Sequence, residues 1–164
     1  MAHDMHDTGS SAVSADAVRG QISRLLEEFV KDTPGATDAL LASRDGLPQV
    51  FCSHMEIGWV DQLAATFSGM AALAKSVAGP MGAQLPARQV LVERDDALFL
   101  LTDAGTGHAF NKGGGTVPTV LVVLARTDAN IGTIAYSVGR LIQNFAPFMT
   151  TPVRARHGQD GGGE

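Results

Sequence analysis

The 164-residue chain carries 12 basic and 17 acidic residues, a formal charge of −5, and is 45% hydrophobic with only seven Phe, one Trp and one Tyr. That size and balance suit one domain with tails, exclude a wholly disordered chain, and argue against a nucleic-acid binder, whose phosphate contacts demand a basic face. The single cysteine, Cys52, permits no internal disulfide and stands in no CxxC or Cys/His ligand pattern, which points to a reducing, cytoplasmic compartment.

In chain order, residues 1–15 are small and polar, with neither the basic start nor the apolar stretch of a secretory signal, and are expected to be a disordered N-terminal tail. His3 and His6 with Asp4 and Asp7 offer at most weak metal binding, since no scaffold fixes them. From Asp16 to Asp32, Val18, Ile22, Leu25, Leu26, Phe29 and Val30 recur on one face of a 3.6-residue repeat, and Arg19, Arg24, Glu27, Glu28 and Lys31 fill the other. Glu27 and Lys31 stand at the favourable four-residue spacing. Pro34-Gly35 stops the helix.

ATDALLAS (36–43) and LPQVFCS (47–53) flank Asp45-Gly46, a strong hairpin signal, and Pro48 predicts that the second strand lies at a sheet edge. Residues 58–79 are helical by the spacing of Val60, Leu63, Phe67, Met70, Ala74 and Val77. ARQVLVER (87–94), ALFLLT (97–102) and TVLVVLA (119–125) read as three strands, the last a β-branched central one. A final helix runs from Asn130 to Phe145, with Pro147 just beyond, and residues 150–164 form a second disordered tail ending in glycines. No 18-residue apolar run suggests membrane insertion. The order α-β-β-α-β-β-β-α, rich in hairpins, predicts an α/β (α+β) domain over 16–149 of two to three layers, built on a mainly antiparallel sheet.

That order and the segments LLEEFVKDTPGATDALLASRDGL (25–47), WVDQLAATFSGMAALAKSVAG (59–79), VLVERDDALFLLT (90–102) and VLVVLARTDANIGTIAYSVGRLI (120–142) resemble the roadblock family, the dynein-light-chain type of small α/β domain. The resemblance runs from about 18 to 146. It is nearest to the actinobacterial members found with a sensor kinase-like protein and a Ras-like GTPase. It implies a profilin-like architecture: a five-stranded antiparallel sheet with the first and last helices on one face and the middle helix on the other. It also implies a homodimer, with paired middle helices and sheets joined edge to edge, no catalytic residues, no cofactor, and binding to small GTPases. One departure is DAGTGHAFNKGGGTVP (103–118), a Gly-rich hairpin insertion where the family has a shorter turn.

The middle helix is informative without the family. Its inward positions are Val60, Leu63, Ala64, Phe67, Met70, Ala71, Ala74, Val77 and Ala78. Its outward positions are Asp61, Gln62, Ala65, Ser68, Gly69, Ala72, Lys75, Ser76 and Gly79, of which only Asp61 and Lys75 are charged. A solvated face normally carries charges; small residues instead admit a second helix at close range. Gly69 destabilises the helix by about 1 kcal/mol relative to Ala, a loss most readily explained by a backbone packed against it. Trp59, Asp61, Gln62, Ala65, Ser68, Gly69, Ala72, Lys75 and Ser76 are the candidate protein interface, set against the alternative that the insertion covers this helix. The outer face of the last helix (Thr133, Tyr136, Ser137, Arg140, Gln143, Asn144) reads as plain polar surface.

Catalytic signals are weak. Lys112-Gly113-Gly114-Gly115-Thr116 has its lysine before the glycines and a strand after them, the reverse of a phosphate loop. Glu93, Arg94, Asp95 and Asp96 read as a solvated turn. His54 shares a face with Cys52 in an extended strand, but no third group orients it, and neither His54 nor His108 has partners at metal spacing. The expectation is a non-enzymatic, cytoplasmic, homodimeric regulator or scaffold binding a Ras-like small GTPase. The alternatives are a profilin- or PAS-like small-molecule sensor and an adaptor for a sensor kinase-like partner.

Overall fold

A computed structural model describes residues 14–108, 110–111 and 115–150. Both expected tails, apart from Ser14, Ala15 and Thr150, and Lys112, Gly113 and Gly114 of the glycine run lie outside the described residues. The elements are α1 (Ala15–Asp32), β1 (Ala36–Ser43), β2 (Pro48–Phe51), α2 (Ile57–Ser76), β3 (Gln89–Glu93), β4 (Leu98–Gly107), β5 (Val117–Ala125) and α3 (Ile131–Met149). The order is the one expected from the sequence.

The five strands form one sheet in the order β2-β1-β5-β4-β3, with every neighbouring pair antiparallel. Pro48 opens edge strand β2, where its missing N–H interrupts no ladder between two strands. The apolar run of β5 takes the centre, where both faces are covered: Thr119 through Ala125 are all buried. α1 and α3 pack on each other and on the sheet, while α2 packs on β1, β2 and β5 and takes no comparable share of either helix. The resulting three layers are helix pair, sheet and single helix. Ser14 caps α1 by accepting from the Ala17 N–H, and Asn130 caps α3 through Thr133.

Two turns depend on glycine. Gly46, at φ +93°, makes the β1–β2 turn, and a Cβ there would lie 3.3 Å from the Cα of Ala65 on α2. Gly35, at φ +87°, ends the turn after α1, and a Cβ there would lie 2.5 Å from that of Ala129.

Three boundaries differ from the sequence reading. Both ends of the 103–118 insertion are strand: the ladder resumes past a register shift between Asp103 and Gly105, with Thr106 opposite Pro118 and Gly107 opposite Val117. α3 continues through Pro147 to Met149. A proline one turn from a helix end removes little ladder, and burial of Phe145 and Met149 outweighs it; the Thr150 hydroxyl donates to the Pro147 carbonyl at 3.2 Å. α2 stops at Ser76, and Val77 and Ala78, expected to face inward, are exposed.

Candidate functional site

α2 begins on Glu56, whose carboxylate accepts from the Gly58 and Trp59 N–H groups, each at 2.9 Å. Those bonds hold the Glu56 carboxyl below the usual carboxylate range. The helix then buries Val60, Leu63, Ala64 and Phe67 against the sheet. Met70, Ala71 and Ala74, one to two turns further on, are only half-buried. The C-terminal half of α2 therefore sits less deeply on the sheet than its repeat suggests.

Eight of the nine candidate interface residues are exposed: Trp59, Asp61, Gln62, Ala65, Gly69, Ala72, Lys75 and Ser76. Ser68 is the correction. It is 3% exposed and donates its hydroxyl to the Ser43 carbonyl at 2.8 Å. The hydroxyl finishes the hydrogen bonding of a strand end, so a polar residue lies on the buried face. Nothing lies within 4 Å of a Cβ built at Gly69, so packing within the chain does not require glycine there.

The sequence reading missed the larger apolar contribution. Leu73 is 70% exposed and Val77 69% exposed, and Met81 and Leu85 in the following segment are exposed too. Leu73 stands four residues after Gly69 on the same helical face, a spacing that could have flagged it. Ile57 at the start of α2 is exposed too, as is Leu47 in the β1–β2 turn.

The described part of the insertion does not cover this face. The His108 N–H donates to the Met149 carbonyl of α3 at 2.9 Å, and Phe110 lies under the Arg19 guanidinium of α1 at 5.8 Å from the ring centroid. The described part of the hairpin thus packs on the α1/α3 layer, away from α2. Thr133, Tyr136, Arg140, Gln143 and Asn144 of α3 are exposed as expected, while Ser137 is half-buried.

A second group of residues meets beside edge strand β2. Cys52 follows β2, fully buried, and its N–H continues the ladder to the Ala39 carbonyl. The chain then turns, with the Met55 N–H donating back to the Cys52 carbonyl. The turn brings His54 to Asp38 of β1, with Nε2 2.8 Å from Oδ1. A third group does orient His54, contrary to expectation. Glu27 of α1 receives the Ser53 N–H rather than serving only as a partner for Lys31. Donor atoms of Glu27, Cys52 and His54 all lie within 4.8 Å of one another. Sequence spacing could not reveal this, because Glu27 and Asp38 come from other elements. Burial pushes the Cys52 thiol up to about 11, with the Glu27 and Asp38 charges adding to the rise. At neutral pH it is therefore a protonated thiol, poorly suited to nucleophilic attack.

A cleft of about 230 Å³ lies between the turn after α1 and the start of α3, lined by Pro34, Gly35, Arg126, Asp128, Ala129, Asn130 and Thr133. Arg126 is turned onto Asp128 at 3.1 Å. Arg94 likewise pairs with Asp96 at 2.7 Å, as a solvated turn requires. Among the described residues, no helix is long and apolar enough to cross a membrane.

A five-stranded antiparallel sheet between a helix pair and a single helix, the latter presenting an outer face whose only charges are Asp61 and Lys75, defines a small α+β domain of the roadblock type. The chain belongs to the Roadblock/LC7 domain family, which matches residues 22–110. It is similar to the crystal structure of a Roadblock/LC7 domain from Streptomyces avermitilis: 29% identity, TM-score 0.64, covering 77% of this chain and 95% of that one. It also resembles the gliding protein MglB from Thermus thermophilus, at 20% identity and TM-score 0.65, covering 85% of this chain and 96% of that one. An MglB structure with a tetrameric arrangement is similar at 21% identity and TM-score 0.64, covering 85% and 95%. At these identities the MglB structures share the fold. No curated protein matches the chain.

Proposed function

We propose that this chain is a non-enzymatic roadblock-type regulator or scaffold that works as a homodimer in the cytoplasm and binds a Ras-like small GTPase. The observation that carries the reading is the outer face of α2. Ala65, Gly69, Ala72 and Leu73 are exposed, and the only charged residues within α2 are Asp61 and Lys75. An exposed face of small and apolar residues loses little on desolvation and admits a partner helix closely. Gly69, for which the chain itself has no packing need, fits that approach.

The second sheet edge supports the same assembly. β3 is an edge strand without proline, and Leu91 on it is exposed, whereas edge strand β2 opens on Pro48. Joining two copies through β3 extends the ladder, while Pro48 discourages joining through β2. The interface is then Trp59, Asp61, Gln62, Ala65, Gly69, Ala72, Leu73, Lys75 and Ser76, shared between the partner copy and the GTPase. The 16–149 domain carries this function. Any acceleration of the GTPase arises by reordering its own switch loops.

The test is titration with a Ras-like small GTPase from the same organism, loaded with GDP or with a GTP analogue. Nucleotide-dependent binding supports a regulator. Binding without nucleotide preference or rate change supports an adaptor, including one for a sensor kinase-like protein. No binding removes the proposal. The sensor alternative gains nothing from the α3 cleft, whose 230 Å³ is below the usual size of a ligand pocket, about 300–1,000 Å³.

A further inference from the structure

We propose that Glu27, Cys52 and His54 form a zinc-type metal site that ties α1 to the turn between β2 and α2. Three different donor types from two distant parts of the chain converge there, all within 4.8 Å. Among the described residues, no other trio of His, Cys, Asp and Glu draws together in this way.

The surroundings are those a metal site needs. Asp38 takes the Nε2 side of His54 at 2.8 Å, which fixes the ring and presents Nδ1 as the ligand. A carboxylate behind a ligating imidazole is the usual support of such sites. The Ser53 N–H anchors the Glu27 carboxylate and leaves lone pairs for an ion. Cys52 is fully buried, while His54 is exposed and Glu27 half-exposed, so an ion enters from solvent past the histidine to reach the sulfur.

Thiolate, imidazole and carboxylate together select a borderline-soft ion over Mg²⁺ or Ca²⁺, which prefer all-oxygen shells. Metal bonds of about 2.0–2.3 Å bring tetrahedral donors within about 3.3–3.8 Å of one another. Closing the set to that spacing draws Glu27 and His54, neither of them buried, inward by about 1 Å while the Ser53 and Asp38 contacts keep their orientation. On binding, the Cys52 S–H proton leaves to solvent as the metal–sulfur bond forms, and no oxidation is involved. Three protein ligands leave the fourth position to water.

The test is titration of the full chain with Co²⁺ alone, followed by its sulfur-to-cobalt charge-transfer band and tetrahedral visible bands. The expected result is saturation at one equivalent, displacement by Zn²⁺, and loss of the sulfur band in Cys52→Ser. Asp38→Asn, at a positioning residue, should keep the band while weakening binding about 10- to 100-fold. A His3→Ala/His6→Ala chain should titrate as the parent does. A folded parent chain with no sulfur band overturns the proposal, as does a cobalt signal that disappears with His3 and His6. If Cys52→Ser fails to fold, Glu27→Gln and His54→Asn decide the matter: each should lower affinity at least about tenfold, and unchanged affinity in both overturns the site.

Discussion

Phe67 of α2 and Phe99 of β4 stack with ring centroids 5.4 Å apart and planes 24° from parallel. The pair pins the middle of α2 to the sheet, and Arg94 lies over the outer side of the Phe99 ring at 5.5 Å. Phe67→Ala should destabilise the chain by about 3–5 kcal/mol, measured by urea unfolding, because a buried aromatic is lost and its cavity cannot fully collapse. A loss below about 1 kcal/mol would mean that α2 is held elsewhere.

The neighbouring Ser68 offers a finer test. Ser68→Ala removes one of two donors to the Ser43 carbonyl, which keeps the Gly46 N–H at 3.0 Å. A loss of about 0.5–1.5 kcal/mol in the same assay is expected. Ser68→Ala should not change self-association, since the side chain points into the chain rather than out of it.

The exposed residues that follow Ser68 on α2 should behave in the opposite way. Gly69→Arg, Ala72→Arg and Leu73→Glu each place a charge on the exposed face of α2. Each should split the dimer, read by light scattering as a halved mass, while the far-UV spectrum stays unchanged. Gly69→Ala should leave the fold intact or slightly stabilise it, because a Cβ there meets nothing within 4 Å. A monomeric parent at micromolar concentration would contradict the paired-helix assembly.

The contrast between Ser68 and Leu73 shows how far the sequence could be read. Strand and helix order, the edge position of β2 and the inner stripe Val60, Leu63, Ala64 and Phe67 were legible, because each follows from local periodicity or from proline chemistry. The tilt of α2 was not. Helical spacing assigns a residue to a face, but how deeply that face sits depends on the sheet beneath it. Val77 and Ala78 fit the repeat and are nonetheless exposed. Met149, past Pro147, is likewise buried beside Gly107 of another element, where an added Cβ would lie 2.8 Å from the Met149 Cε. The meeting of Glu27, Asp38, Cys52 and His54 is illegible for the same reason: only the sheet and the α1 packing put them side by side.

Acid titration should register the cap of α2. The Glu56 carboxyl is held below its ordinary value of 4.5 by the Gly58 and Trp59 N–H groups. A depressed folded-state value means that the charged form contributes stability above the unfolded-state value, lost as pH falls through the folded one. The stability gap between the parent and Glu56→Gln should therefore be constant near neutrality and shrink below about pH 4.5. Chemical denaturation at a series of pH values reads this directly, and a gap that widens in acid would refute the assignment.

Gly46→Ala tests the turn that seats β1–β2 on α2. With φ at +93° and the Ala65 Cα 3.3 Å from the new Cβ, strain and close approach act together. A loss of about 1–2 kcal/mol is expected from the backbone conformation alone, and more if Ala65 cannot give way.

The strand order also sets when this chain can fold. β5, the last strand made, lies between β1 and β4, and Leu40 of the first hairpin is paired with Val122. A nascent or truncated chain that ends before Thr119 holds two hairpins, β1–β2 and β3–β4, with no strand to join them. Each then exposes an inner edge that β5 alone is placed to cover. The core closes late, over a long loop, so folding should be slow for a domain of this size. The interval before β5 emerges from the ribosome is when the chain is most prone to aggregate.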